Sequence, residues 1–154
     1  MEFISEKLVK LIERDADQLT KNWLKDVQKH PLMPNYHIYD EKKLYQRAFR
    51  VYSQLGKWIS RETSKEDIEK YYTALGEQRR KEGFALSEVI QALIITRRHV
   101  WIKVLSEGLL DTALDHHKAL ELNNRVVLFF DRAILFTSLG YEKTDPSKIS
   151  RIRE

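Results

Sequence analysis

Apolar residues along this chain recur at steps of three and four, the period of a helix with one buried face, and no useful stretch alternates as a half-buried strand would. Ile4, Leu8, Leu11, Ile12, Leu19, Trp23 and Val27 form the first such stripe, with Glu6, Lys10, Glu13, Arg14, Lys21 and Lys25 on the other faces. That helix must end by His30, because Pro31 and Pro34 remove amide donors and disfavour helix in the residues before them. The apolar and aromatic run from His30 to Tyr39 is expected to be a loop packed over an end of a bundle. Asp40 is placed to cap a second helix, whose stripe is Leu44, Ala48, Val51, Tyr52, Leu55, Trp58 and Ile59. Thr63 and Glu66 have capping-box spacing and open a third helix, with Ile68, Tyr71, Tyr72 and Leu75 on one face and Gly83 as its stop.

From Phe84 to Glu107 the pattern changes. Val89-Ile90-Gln91-Ala92-Leu93-Ile94-Ile95 is apolar on almost every side, which marks a central helix rather than a surface one. Leu86, Val89, Ile90, Leu93, Val100, Trp101 and Val104 repeat at helical spacing, and Arg97 fills the slot between Leu93 and Trp101. A guanidinium there needs a carboxylate such as Glu69, Glu77 or Asp131, or else forms an anion site. After Gly108, Asp111 or Thr112 can cap a fifth helix that reaches about Leu139 before Gly140 closes it. Its second half, Val126 to Phe130 and Ala133 to Phe136, has too little polar surface to face water, so it fills the centre or meets a second copy of itself. The pattern therefore predicts an all-α fold: a bundle of about five helices with a four-helix-bundle-like core. One domain spans residues 1–140, followed by a flexible tail over 141–154 that contains Pro146.

Composition narrows the chemistry. The 154 residues contain no cysteine, which removes disulfides, thiolate metal sites and a cysteine nucleophile and suits a reducing cytoplasm. The acidic start lacks the features of a signal peptide, and no apolar run is long enough to cross a bilayer, so a soluble cytoplasmic protein is expected. The net charge of +4 is the balance of 27 basic and 23 acidic groups interleaved along the chain, a solvated surface more than a polyanion site. Arg79-Arg80-Lys81 suits a helix C-terminus, and the long apolar helix after it is a poor recognition helix, so nucleic-acid binding is not expected.

Neither Glu-x-x-His nor His-Glu-x-x-His occurs, and His116 and His117 point about 100° apart on a helix, so no metal is expected. His99 is a lone helical histidine and weak support for haem, and no cofactor is expected. The absence of a Gly-x-Ser-x-Gly and of a glycine-rich phosphate loop leaves no catalytic residues to name, so no enzyme is expected. Although a helix face bonded to neighbouring arginines or water is the expected reading, on the fifth helix His117, Glu121, Asn124 and Asp131 share a column that could line a polar pocket or bind a metal. With Arg97 and Trp101 they are the candidate residues for ligand or partner binding.

The segment from Tyr71 through Leu75-Gly76-Glu77-Gln78-Arg79 and Gly83-Phe84-Ala85-Leu86 to Arg97-Arg98-His99-Val100-Trp101 resembles the N-terminal domains of RsbR-type co-antagonists of bacterial signalling. Trp23 and the stretch Tyr52 to Trp58 add to the likeness, which runs to about Leu139. The resemblance implies a helical, cytoplasmic, dimeric sensor without catalysis, of the kind joined to kinase, phosphatase-type or anti-sigma-antagonist output domains. No output domain can be read in this chain, which leaves it to sense alone or to dock on a signalling partner, with a small-molecule ligand as the possible input. A small-molecule or haem carrier and a DNA-binding regulator are the rival readings.

Overall fold

A computed structural model describes residues 6–60, 62–108 and 111–143, and within them every regular element is a helix. In chain order these are α1 (Glu6–Arg14), α2 (Ala16–Lys29), α3 (Pro34–Ile38), α4 (Glu41–Ser53), α5 (Leu55–Ile59), α6 (Lys65–Lys81), α7 (Leu86–Ser106) and α8 (Ala113–Lys143). The all-α class stands, with eight helices among the described residues in place of about five. The additional ones come from breaks in two expected helices and a short helix in an expected loop.

The first helix bends at Asp15 (φ −99°, ψ 22°), although the Asp15 amide still bonds to the Leu11 carbonyl at 3.2 Å. Two cations meet at the bend, one local and one from α7: Arg14 Nε lies 3.2 Å and Lys103 Nζ 2.7 Å from the Asp15 carboxylate. Hydrogen bonds from Arg14 and then Lys103 hold that carboxyl at about 2, below the usual carboxylate range. Past the bend the buried stripe continues through Leu19, Trp23 and Val27, with Ala16 and Thr20 joining it. The second helix breaks in the same way at Gln54 (φ −121°), dividing α4 from α5. Between them the His30–Tyr39 run folds onto the bundle through α3. Met33 and Tyr36 are buried, Leu32 and Ile38 are exposed, and the Tyr36 ring lies 4.6 Å from that of Phe84.

Caps set several of the other boundaries. Asp40 accepts from the Lys43 amide at 3.1 Å, and Ser64, one residue beyond the expected Thr63, accepts from Asp67 at 3.1 Å. Thr112 and Asp115 bond reciprocally at 3.0 and 3.1 Å to start α8. At the end of α6, Gly83 takes φ +90°, the Phe84 amide reaches back to the Arg79 carbonyl at 3.2 Å, and Phe84 is buried. That is a Schellman closure.

The most extensive pairing is α6 against α8. There a methyl group built on Gly76 would stand 2.1 Å from the Thr137 carbonyl oxygen, and one built on Gly140 would stand 2.0 Å from that of Thr73. The two backbones approach at these glycines. Gly140 therefore does not end the fifth helix as expected: α8 runs through it to Lys143, and Tyr141 donates from its hydroxyl to the Phe84 carbonyl at 2.9 Å. Residues 144–154, the rest of the expected tail, lie outside the described residues, as does Ile4.

The central helix also differs from expectation. The buried residues of α7 are Glu88, Val89, Ala92, Leu93, Ile95, Thr96, His99, Val100 and Val104, while Ile102 and Leu105 are exposed and Leu86, Ile90, Ile94 and Trp101 are only partly covered. One side of α7 is enclosed by its own chain and the other is not. Among the described residues no helix is long and apolar enough to cross a membrane.

Candidate functional site

The residues singled out from sequence fall on one surface, the outer face shared by α7 and α8. Arg97 Nη1 lies 3.9 Å from Asp131 Oδ1, a loose pair whose side chains are 31% and 65% exposed. Trp101, one turn along α7, packs partly against the core. On α8, His117 and Asn124 are exposed and Glu121 is half-buried. The α8 column therefore faces outward and does not line a pocket in the bundle. Leu120, Val127, Leu128, Leu135 and Leu139 are interleaved with it, 63%, 36%, 51%, 53% and 47% exposed. They make a mixed apolar and polar strip along α8, and Ile102 and Leu105 of α7 are exposed as well.

His99 lies on the opposite, buried side of α7. Its Nε2 is 2.6 Å from Asp26 Oδ2, so that nitrogen is engaged by a carboxylate. Among the described residues no three His, Asp or Glu side chains gather where they could hold a metal ion.

A second place has more enclosed chemistry: a cleft of about 370 Å³ between α4 and α6, floored by Val89, Ala92, Leu93 and Thr96 of α7. At its rim Glu82 serves two arginines. Arg47 donates to both carboxylate oxygens at 3.0 and 2.5 Å and to the Tyr39 hydroxyl at 3.2 Å. Tyr39 itself donates to Glu82 at 2.9 Å, and Arg79 donates at 3.2 Å. Burial works against the Glu82 charge, but the bonds from Arg47 and Tyr39 and the nearby Arg79 outweigh it and hold the carboxyl below its ordinary value. The Arg79 guanidinium is pushed down, first by its own burial and then by Arg47. Arg50 spans the mouth by donating to the Tyr71 hydroxyl at 3.3 Å.

Sequence reasoning did not single out this second group. A signal for Arg79 was present, since Ile68, Tyr72, Leu75 and Arg79 continue one stripe of α6 at helical spacing, and Arg79 is 9% exposed. Arg47 stands three residues after Leu44 and four before Val51, on the edge of the α4 stripe. The Glu82 contact joins positions 35 residues apart, and no local pattern reveals it.

No protein-family model, curated protein or solved structure matches this chain.

Proposed function

We propose that this chain is a non-catalytic regulatory or sensory module of bacterial signal transduction, working in the cytoplasm as a homodimer joined through the outer face of α7 and α8. A ligand or signalling partner would act by shifting helix packing across that dimer. The resemblance to RsbR-type input domains supports the class of role. The observation that carries the dimer is the strip of exposed leucines and valine on α8.

Isolated exposed leucines are ordinary, but a run along one face of a long helix is what a partner covers. The strip is also self-complementary. Arg97 and Asp131 form only a loose exposed pair within one chain, and a twofold axis can set either one against its opposite in the other copy. The half-exposed Arg97, Trp101 and the polar residues His117, Glu121, Asn124 and Asp131 would then set register at the seam, with the leucines supplying the buried area.

Sedimentation velocity tests the reading. The wild-type chain is expected to sediment as a dimer at micromolar concentration, and Leu128→Glu with Leu135→Glu is expected to be a folded monomer. A monodisperse wild-type monomer at high concentration overturns the dimer.

A further inference from the structure

The α4/α6 cleft has a wall chemistry that core packing does not require. Four cationic side chains line it, Lys43, Arg47, Arg50 and Arg79, and no acidic residue does so among the described residues. Glu82 binds Arg47 and Arg79 from the edge, so one carboxylate answers two guanidinium groups.

Arg79 is nine-tenths buried, yet one Nη donating to Glu82 is its only hydrogen bond among the described residues. A guanidinium has five N–H donors, so the rest are uncommitted. Behind the charges the wall is apolar and aromatic, with Trp23, Tyr36, Tyr72, Leu75 and Leu93 in it. The Tyr72 hydroxyl is buried without a hydrogen-bond partner. The volume is at the small end of the roughly 300–1,000 Å³ found for small-molecule sites.

We propose that this cleft binds a small amphipathic organic acid, its carboxylate held by Arg79 and the rim arginines and its aliphatic or aryl body laid against Tyr72, Leu75 and Leu93. Arginine suits the head group because its planar fork meets a carboxylate with two parallel hydrogen bonds. The apolar wall favours a molecule with a greasy body over a bare inorganic anion, and a volume of about 370 Å³ suits a small molecule rather than a polymer such as nucleic acid. From α4, Arg47 reaches Glu82 at the residue after α6 and Arg50 reaches Tyr71 of α6, side-chain links across the mouth that can give way to admit a ligand. This site goes beyond the dimer reading and does not depend on it.

Calorimetric titration of the full chain with decanoate and with 1-decanol, which share a tail and differ in charge, tests the proposal. Decanoate is expected to bind at least about tenfold more tightly than the alcohol, the worth of a charge-assisted contact. Arg79→Met is expected to weaken decanoate at least about tenfold and Arg50→Ala about threefold, without changing decanol binding. Should Arg79→Met fail to fold, Arg50→Ala on the exposed rim and Ala48→Leu, which fills the cleft from α4, carry the test. No decanoate binding at about 1 mM, equal affinity for acid and alcohol, or undiminished binding by Ala48→Leu overturns the site. Light scattering on the same samples separates the two readings: a dimer that ignores decanoate loses only the ligand site, and a monomer that binds it loses only the dimer.

Discussion

Tyr72 buries a hydroxyl that has no hydrogen-bond partner among the described residues, and burial pushes its phenol far above the ordinary range. An unpaired buried donor costs about 1–3 kcal/mol, so Tyr72→Phe is expected to stabilise the ligand-free chain by about 1 kcal/mol, read from the urea midpoint. A lower midpoint would mean that the hydroxyl is satisfied and the argument from its isolation is void. Asp15 gives a prediction of opposite kind. Its carboxyl, held at about 2 against an ordinary 3.8, is favoured in its charged form by folding. The stabilisation is complete above the unfolded value and is lost as pH falls from about 4 through 2. The stability gap between wild type and Asp15→Asn should therefore be open at pH 6, narrow steeply between pH 4 and 2 and close only below about pH 2 in denaturant titrations, and a gap independent of pH would assign Asp15 a packing role alone. At this scale sequence shows which residues can be charged but not which charges are enclosed. Glu88 has the pattern of an ordinary first-turn acid, yet it is 2% exposed because Asn35, 53 residues earlier, donates to both its oxygens.

Between α6 and α8 the energetics belong to two helices meeting at two glycines. A methyl group on Gly140 would sit 2.0 Å from a backbone oxygen of α6, which has no flexible side chain to yield. Alanine gains about 1 kcal/mol of intrinsic helix propensity over glycine, but forced separation of the pair costs more. Gly140→Ala is expected to destabilise by about 1–3 kcal/mol net in urea unfolding, with Gly76→Ala similar. An unchanged or raised midpoint would show that the two backbones do not meet so closely. The same position marks where sequence reading stopped. A glycine after an apolar stripe has the same pattern whether it closes a helix, as Gly83 does at φ +90°, or admits a neighbouring helix, as Gly140 does. The stripes of α4 and α6, the cap at Asp40, a cap at Asp111 or Thr112 that proves to be Thr112, and the stop at Gly83 were legible because local hydrogen bonds and period-3.6 burial decide them. The bends at Asp15 and Gln54 were not legible. The bend at Asp15 is held in part by Lys103, which reaches it from α7.

Across the whole molecule α7 is the element that could join a ligand site to an assembly. Val89, Ala92, Leu93 and Thr96 floor the cleft, while Arg97, one turn beyond Leu93, pairs with Asp131 on the outer face. A rotation or slide of α7 that tightens the cleft around a bound acid must also move Arg97 and Trp101 at the edge of the strip. If the proposed dimer and acid site both exist, coupling of this kind is reciprocal: whatever factor dimerisation adds to acid affinity, the acid adds to dimer affinity. For a regulatory module the factor is expected to be at least about fivefold, the lower end of usual allosteric couplings. The measurement is the dimer dissociation constant by sedimentation, with and without saturating decanoate, beside calorimetric titrations of wild type and of the Leu128→Glu, Leu135→Glu monomer. Equal factors in the two experiments would make α7 a transmission element. Shifts below about twofold in both would leave a carrier that happens to dimerise, because a ligand with equal affinity for two states moves neither.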